Sequence, residues 1–506
     1  MRQTRRKKYT RILEKRKRSL SQRLDLAKRC PDQPGPVFQA SNIHYEVSEK
    51  VRAIGCGGIG AIHQMVKKIG LVEEIDRHLV LLKLHAPYHE SDHVLNIAYN
   101  ALLGGMRLED IELRRNDESF MNGLGAERIP DPTTAGDFTR RLTSAHHIET
   151  LMECINRSRA RVWDKASFRM PEAFIDIDGT HTPTGGECKE GMDISYNGIW
   201  GYHPLLVSLA NTKEVLYLEN RPGNVPSHTG AARWIGKAIK MVAPYAERVF
   251  LRGDTDFSLT AHFDDWSEKA DFVFGMDAKK NLVELADQLS APDWSLLERP
   301  AKYEVKTEPR WSPDNVKEQI VRLREYRNIR LTGEEVAEFP YRPGKCEKTY
   351  RMVVVRKNLS ISRGDRRLFD EVRYFFYITT RWDLPASEVV FLANDRCDQE
   401  NVISQLKNGV NAMRMPVRDL PSNWAYMVMT SLAWNLKAWY GLLMPNRKEG
   451  LQVMKMEFRR FLHGFILLPC QILRTGRRIV YRLLGYNEHL EAFFKTWERI
   501  RRLSFA

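Results

Sequence analysis

Three acidic residues in this sequence are spaced so that they could together carry out phosphoryl-transfer chemistry. Asp178 follows the largely apolar residues 173–177, and Asp254 comes shortly after a second largely apolar run at 248–251. Each run predicts a short strand, so each carboxylate should leave a buried sheet at its edge, where ligands usually bind. The third acidic residue is Glu400, which lies in a segment with helical periodicity.

The segment around Glu400 predicts a helix that carries charge on one face. Asp398 is expected to cap this helix and Gly409 to end it. Its apolar stripe consists of Val402, Leu406 and Val410. Glu400 and Lys407 are seven residues apart, so they share the opposite, charged face. A lone Glu–Lys pair of this kind is usually only a solvated surface, and its meaning depends on the two strand-end aspartates.

Carboxylates from two strands and one helix can bind two Mg²⁺ ions, and Mn²⁺ is an acceptable substitute. Two such ions, ~3.5–4 Å apart, can position both oxygens of a phosphodiester displacement. Asp176 and Asp256 each lie two residues from a chosen ligand. Because two steps along a strand return to the same face, the local pattern leaves both open as alternative ligands.

The elements that must position these residues form a mixed α/β pattern. Strands are predicted at 173–177, 205–210, 215–219, 248–251 and 272–274, with a hairpin turn at 211–214 and helices at 231–242 and near 259–269. Three strands followed by alternating helices and strands indicate a mixed sheet. Residues 50–165 show helical periodicity. Residues 281–384 are β-rich, with runs at 350–355 and 372–379, and the chain is predicted to be helical from Pro385 to its end.

Charge is concentrated at the two ends of the chain. The net charge is +15, and residues 1–30 hold 13 Lys and Arg residues against two acidic ones. Residues 446–506 hold another 13 against five. Two basic ends around a slightly acidic middle favour a polyanionic partner, with nucleic acid first and an anionic membrane second. The apolar stretch 426–444 contains Asn435 and Lys437, which favours a buried core helix over a membrane span.

A possible DNA-reading helix begins near residue 132. Thr134 is expected to cap it, and Asp137 would complete a capping box. Arg140 and Arg141 would then lie early in this helix. The seven cysteines are scattered and never form C-x-x-C, which argues against both a disulfide framework and a zinc site and favours a reducing cytosol.

Together these motifs resemble the catalytic region of DDE transposases from bacterial insertion sequences, most closely family 1380, which is related to family 4. Those proteins carry Asp-Gly-Thr, Asp-x-x-Phe and Tyr-x2-Arg-x3-Glu-x6-Lys motifs. The matching residues here are Asp178-Gly179-Thr180, Asp254-Thr255-Asp256-Phe257, and Arg396 with Glu400 and Lys407. Ala393 replaces the signature Tyr. The segment Arg221-Pro222-Gly223-Asn224-Val225, with His228 after it, is also similar to this family.

The resemblance implies a cytoplasmic, nucleoid-associated transposase with an RNase-H-like core and the triad Asp178, Asp254 and Glu400. It implies cut-and-paste transposition by a homodimer or larger assembly that binds terminal inverted repeats and target DNA, with no membrane partner. The predicted DNA contacts are Arg396, Lys407, Arg252, Arg140 and Arg141 together with the basic runs Arg5, Arg6, Lys7, Lys8 and Lys15, Arg16, Lys17, Arg18. These runs are expected to be disordered or loosely helical without DNA. Trp294, Trp311 and Trp382 are further candidates for contact with DNA.

The expected organisation is a basic arm at 1–40, a helical DNA-binding or dimerisation region at 41–165, and an RNase-H-like core at 166–280 and 385–445. A β-rich insertion at 281–384 interrupts the core, and a basic helical region at 446–506 follows it. Two other functions stay open. The segment Asp176-Ile177-Asp178-Gly179-Thr180 also resembles haloacid-dehalogenase-like phosphatases, in which Asp176 would be the covalent nucleophile, with Gly253-Asp254-Thr255-Asp256 as a faint second motif. A non-catalytic DNA-binding protein derived from a transposase is the other.

Overall fold

The computed structural model describes residues 2–29, 39–48, 50–85, 87–299, 314–476 and 478–503. Within the first helix, side chains are described for residues 8–25. Trp311 and the side chains of Arg5, Arg6 and Lys7 lie outside this part of the chain.

The N-terminal third is almost entirely helical. It contains α1 (Arg2–Arg29), the short strand β1 (Ala53–Ile54), α2 (Ile59–Lys68), α3 (Leu71–His78), α4 (Glu90–Leu102), α5 (Glu112–Arg115), α6 (Glu118–Leu124), α7 (Pro132–Arg141) and α8 (Ala145–Lys165). Ile62, Met65, Val66 and the C-cap residue Ile69 are fully buried, because they recur at helical spacing along one face of α2.

The central part alternates strands and helices. Its elements are β2 (Met170–Gly179), β3 (Thr182–Pro183), β4 (Asp193–Ile194), β5 (Trp200–Tyr202), β6 (Leu205–Leu209), β7 (Glu214–Glu219), α9 (Ala231–Val242), β8 (Ala246–Gly253), α10 (Phe263–Ser267), β9 (Asp271–Met276), α11 (Lys280–Asp287), β10 (Ser295–Leu296), α12 (Val316–Leu323), β11 (Arg327–Tyr341), β12 (Tyr350–Arg363) and β13 (Arg366–Thr379).

One large mixed sheet organises these strands. Within the described residues it has nine strands in the order β10-β11-β12-β13-β9-β8-β2-β6-β7. β2 pairs in parallel with β8, and β8 pairs in parallel with β9. On its other side β2 is antiparallel to β6, and β6 to β7. Three antiparallel strands followed by two parallel ones give the RNase-H-like arrangement, so the predicted fold class is confirmed.

The β-rich segment is continuous with this sheet. β13 pairs with β9 through residues 376–379 and 273–276, and β11 and β12 add further antiparallel strands. The sequence indicated strands here but not that they extend the central sheet, because pairing partners far apart in the chain leave no local signal.

The C-terminal part contains α13 (Ala386–Asn394), α14 (Cys397–Asn408), α15 (Leu420–Leu442), α16 (Arg447–Lys455), α17 (Phe458–Phe461), β14 (Cys470–Thr475), β15 (Arg478–Leu483) and α18 (Leu490–Arg502). The expectation of continuous helix after Pro385 is therefore wrong at one place. β14 and β15 form a hairpin, and β1 from the N-terminal region pairs with β14.

Helix α15 lies against the edge of the large sheet and is buried along almost its whole length. Asn435 accepts a hydrogen bond from the Val215 N–H at 2.9 Å and donates one to the Val215 carbonyl at 3.0 Å. These bonds satisfy backbone groups of the edge strand β7. In the described part of the chain, no helix has the length and apolar character that a membrane crossing requires.

Three expected helix details differ in the structure. Asp131, not Thr134, caps α7, because its carboxylate accepts a hydrogen bond from the Thr134 N–H at 2.9 Å. Arg140 and Arg141 consequently lie in the last turn of α7. Asp398 lies inside the first turn of α14, whose N-cap is Arg396, whereas Gly409 does end this helix. The six cysteines in the described residues are all free.

Candidate active site

The ends of the parallel strands β2 and β8 bring Asp178 and Asp254 to one edge of the sheet. The register pairs Asp176 with Arg252. Continuing it by two residues brings Asp178 level with Asp254, on neighbouring strands spaced ~4.8 Å apart. The strand-end placement inferred from the two apolar runs therefore describes this edge correctly.

Arg396 lies between these two carboxylates. Its Nη1 is 3.0 Å from Asp178 Oδ2, and its Nη2 is 3.9 Å from Asp254 Oδ2. Arg396 stands at the start of α14, so this helix begins directly at the acidic edge of the sheet. One guanidinium thus offsets two carboxylates, and the cluster keeps an excess of negative charge.

The pKa values of Asp178, Asp254 and Arg396 are all raised from their ordinary values. Burial raises the pKa of Asp178 to about 6; Arg396 opposes this shift and the Asp254 carboxylate reinforces it. Burial also raises the pKa of Asp254, again against the opposing effect of Arg396. Burial alone would lower the pKa of Arg396, but the neighbouring acidic groups, with Asp178 and Asp254 first among them, together raise it.

Two polar side chains of helix α14, Gln399 and Lys407, each make two contacts with the sheet or with the residues that follow β2. Gln399 donates through Nε2 to the carbonyls of Asp176 and Leu206, at 3.1 and 3.3 Å. Lys407 Nζ lies 2.7 Å from Thr180 Oγ1 and 2.7 Å from the His181 carbonyl. Lys407 is therefore fixed beside the first acidic motif rather than projecting freely into solvent.

Glu400 lies one helical turn after Arg396 and faces the same way. Its side chain is exposed. No hydrogen bond or ion pair of the described residues joins it to Asp178 or Asp254. Within that part of the chain, no group of three or more His, Cys, Asp or Glu side chains is arranged to bind a metal. The structure thus brings two of the three proposed ligands together and places the third on the adjoining helix turn.

The donor chemistry at this edge fits a divalent cation. Asp178 and Asp254 supply hard carboxylate oxygens, which Mg²⁺ prefers. The Glu400 carboxylate is near enough to Arg396 to help raise the pKa of that arginine. A third carboxylate therefore lies one helical turn from the arginine that contacts the other two.

Asp176 and Arg252 form a separate ion pair inside the sheet. Arg252 Nε and Nη2 donate to the two carboxylate oxygens of Asp176 at 2.6 and 2.9 Å. Both side chains are buried, with 1% of Asp176 and 4% of Arg252 exposed. The expected contact of Arg252 with DNA is therefore wrong, because its guanidinium is enclosed and already bound. The phosphatase alternative fails for the same reason, since it requires Asp176 as an accessible nucleophile.

Asp256, the other alternative ligand, does not lie on a strand. β8 ends at Gly253, and Asp256 belongs to a short 3-10 turn over Thr255–Phe257. Its N–H donates to Asp254 Oδ1 at 3.0 Å, and its own side chain is exposed. The strand-based argument for Asp256 therefore does not apply.

Sequence reasoning missed a histidine pair beside the acidic edge. His181 stacks on His203 with ring centroids 4.2 Å apart, and His203 Nδ1 lies 2.7 Å from the Val225 carbonyl. The loop that carries Val225 is held by buried Arg221, which donates to the carbonyls of Ser227 and Thr229, both at 2.8 Å. The family-like segment that begins at Arg221 was the available signal, but His203 itself follows no motif.

The other residues predicted to contact DNA differ in how exposed their side chains are and in whether they already have a partner. Arg140 and Arg141 are exposed, and Arg140 forms an ion pair with Asp137. Lys8, Lys15, Lys17 and Arg18 are exposed on α1. Trp382 is 54% exposed. Trp294 is half-buried, with the Arg356 guanidinium 4.1 Å from its ring centroid.

An RNase-H-like sheet with paired carboxylates at the ends of neighbouring parallel strands, beside a helix that carries Arg, Glu and Lys, defines the DDE class of transposase. Comparison with protein families agrees. Residues 52–505 match the model described as transposase DDE domain group 1, and the chain belongs to this family. No curated protein matches the chain. Among solved structures, a piggyBac transposase synaptic complex with hairpin DNA matches at 11% identity and a TM-score of 0.37, over 82% of this chain and 83% of that one.

Proposed function

We propose that this transposase cleaves DNA and transfers strands by metal-dependent phosphodiester chemistry at the Asp178–Asp254 edge of the sheet. The convergence of these two carboxylates on Arg396 carries the proposal. Family membership supports the same reaction class.

Asp178, Asp254 and Glu400 would hold the divalent ions, with Mg²⁺ expected and Mn²⁺ as a substitute. When bound, such ions activate the attacking oxygen and offset charge on the phosphate. Arg396 would then be released from the carboxylates and could bind a DNA phosphate bidentately. Lys407, held against Thr180, would add a second fixed cation beside the same edge.

The proposed partner is double-stranded DNA, both at the element's terminal inverted repeats and at the target. We assign residues 41–165 to binding the repeats and to dimerisation, 166–280 and 385–445 to the catalytic core, and 281–384 to an insertion. The exposed Arg140 and Arg141 at the end of α7 are the candidate contacts of the first region. Joining two DNA ends requires a homodimer or larger assembly, and a DNA substrate would place the protein at the bacterial nucleoid.

The test is incubation of the protein with duplexes that span both ends of its own element, with and without Mg²⁺. We expect nicks at the element boundary that require the metal. Changing Asp178, Asp254 or Glu400 singly to Ala should lower the cleavage rate by at least ~10²–10³-fold, since each removes preorganised charge from the transition state. Binding of the same duplexes, measured without metal, should persist.

Asp256→Ala is the matched control, because this residue is acidic, adjacent and exposed but is not proposed as a ligand. It should keep most of the cleavage activity. Wild-type cleavage by Asp178→Ala would show that the ligand assignment is wrong. Tight and specific binding of the ends without any cleavage by the wild-type protein would instead favour the non-catalytic DNA-binding alternative.

A further inference from the structure

Much of the N-terminal basic arm forms the regular helix α1, which packs against the C-terminal part of the chain, whereas the sequence predicted a disordered or loosely helical arm. Arg16 of α1 donates through Nη1 to the carbonyl of Gly485 at 2.8 Å and to that of Leu483 at 3.3 Å. Tyr9 stacks on Phe494 of α18 with ring centroids 5.9 Å apart and planes 2° apart. The helix forms because Lys, Arg and Leu favour helix strongly enough to offset the repulsion of neighbouring charges.

The docked face of α1 determines which charges point outward. Tyr9, Leu13 and Arg16 are spaced as neighbours on one helical face, and Leu13 packs against the core. On a helix of 100° per residue, the side directed away from this stripe holds four basic residues at intervals of three, four and three, namely Lys8, Arg11, Lys15 and Arg18, together with one acidic residue, Glu14.

These four side chains are exposed, and no ion pair among the described residues engages any of them. They span about 15 Å along the helix axis at a rise of ~1.5 Å per residue. The spacing is thus about one basic side chain per ~5 Å, which is of the same order as the axial phosphate spacing of ~3.4 Å along one DNA strand, and Glu14 is the one acidic residue among them.

The support of α1 is basic as well. Arg16 binds carbonyls at the end of β15, which is the edge strand of the β1-β14-β15 sheet in the described residues. The hairpin presents exposed Arg474, Arg478 and Arg482. Helix α1 and the C-terminal hairpin therefore form one structural unit that carries basic side chains from both basic segments of the sequence.

We propose that α1, docked on the β14–β15 hairpin and α18, is a duplex-DNA platform that binds the phosphate backbone through Lys8, Arg11, Lys15 and Arg18. Duplex DNA is the partner favoured by the charge density and by the proposed function, on which this inference rests. Because phosphates carry no sequence information, the platform should add affinity equally for element ends and for random duplex.

Measuring the affinity of the full-length protein for a random-sequence duplex, without metal and at several NaCl concentrations, tests the platform. Each phosphate contact contributes ~0.9 to the slope of log affinity against log salt. Changing all four residues to Gln should therefore flatten the slope by up to ~3–4. The matched control changes four scattered exposed lysines to Gln, namely Lys83, Lys240, Lys269 and Lys280, and should flatten it much less.

A third variant separates a docked helix from a flexible tether. Phe494→Ala removes the stacking partner of Tyr9 without altering charge, and we expect it to weaken binding to duplex at every salt concentration. Equal slopes for the four-residue variant and its control would overturn the platform. A flattened slope with no effect of Phe494→Ala would overturn the docking requirement.

Vesicles rich in phosphatidylserine provide a further arm of the experiment. If the four-residue variant loses vesicle binding while its DNA slope is unchanged, the surface binds membrane instead and the proposal is overturned. Because binding is measured without metal, these results are independent of whether the protein cleaves element ends, so failure of the platform and failure of the proposed function can be told apart.

Discussion

Asp176 and Asp178 differ in role although they are two residues apart on the same strand. Asp176 is buried, and its two carboxylate oxygens accept hydrogen bonds from Nε and Nη2 of Arg252. Asp178 lies nearer the strand end and shares Arg396 with Asp254. The difference comes from depth in the sheet: a buried charge must be fully paired, whereas a charge at the edge can remain available to a ligand. We therefore assign a structural role to Asp176 and a chemical one to Asp178.

This assignment predicts opposite effects of the two alanine substitutions. Asp176→Ala leaves Arg252 buried without its partner and should lower the free energy of unfolding by ~3–5 kcal/mol. Asp178→Ala should change it far less while abolishing cleavage. Urea unfolding and the cleavage assay measure the two effects. If Asp176→Ala were as stable as wild type, the buried ion pair would not have the structural role assigned to it.

At the scale of the element, local sequence patterns predicted individual strands, turns and helix ends, but not contacts between segments that lie far apart in the chain. Apolar periodicity and turn residues were enough to predict the strand that carries Asp178, the strand that ends just before Asp254, the β6–β7 hairpin and the end of α14 at Gly409. The hairpin of β14 and β15 could not be predicted in the same way, because it is short and basic and pairs with β1, more than 400 residues earlier in the chain. The Arg396 contact was missed for a similar reason, since it joins α14 to strands far away in sequence.

The cap of α7 gives a prediction at this scale. Asp131 accepts hydrogen bonds from both the N–H and the hydroxyl of Thr134, at 2.9 and 2.7 Å. Asp131→Ala should therefore lower the free energy of unfolding by ~0.5–2 kcal/mol. Thr134→Val, which keeps the N–H, should cost less. A larger loss for Thr134→Val would mean that Thr134 is the more important capping residue after all.

Lys437 in α15 gives a pH-dependent prediction. Its Nζ donates to the Met454 carbonyl at 2.9 Å, and burial lowers the pKa of Lys437 from 10.5 to about 7. Between these pH values the unfolded chain binds the proton and the folded protein does not, so the stability contributed by this group rises with pH across the window, by at most ~1.4 kcal/mol per pH unit. Lys437→Met should remove that contribution.

Urea unfolding of wild type and Lys437→Met at several pH values between 7 and 10 would measure the difference. The tyrosines with raised pKa values, such as Tyr440 and Tyr426, are present in both proteins and cancel in the comparison. A difference in stability that does not vary with pH would contradict the lowered pKa of Lys437.

At the scale of the whole molecule, one buried carboxylate joins three parts of the chain. Glu214 on β7 accepts hydrogen bonds from Arg159 at 2.9 Å and Trp163 at 3.1 Å, both on α8, and from Trp439 on α15 at 2.6 Å. Glu214 and Arg159 are both fully buried. The N-terminal helices, the edge strand β7 and the C-terminal helices are thereby held together at one point. The strand ends at Asp178 and Asp254 belong to the same sheet.

Glu214→Leu should consequently destabilise the whole protein rather than one element. It leaves the Arg159 guanidinium buried and unpaired, which should lower the free energy of unfolding by ~3–5 kcal/mol. The double variant Arg159→Met/Glu214→Leu replaces the pair with apolar groups of similar size, and it should recover much of that loss, because an apolar pair avoids the desolvation of two charges.

Urea unfolding followed both by tryptophan fluorescence and by far-ultraviolet circular dichroism gives the test. Because the eleven tryptophans are spread along the chain from Trp163 to Trp497 while circular dichroism reports on all helices and strands, coincident transitions in wild type would show that these parts unfold together. If Glu214→Leu were destabilised only slightly, or if the double variant were no more stable than Glu214→Leu, the ion pair would not be what joins these layers.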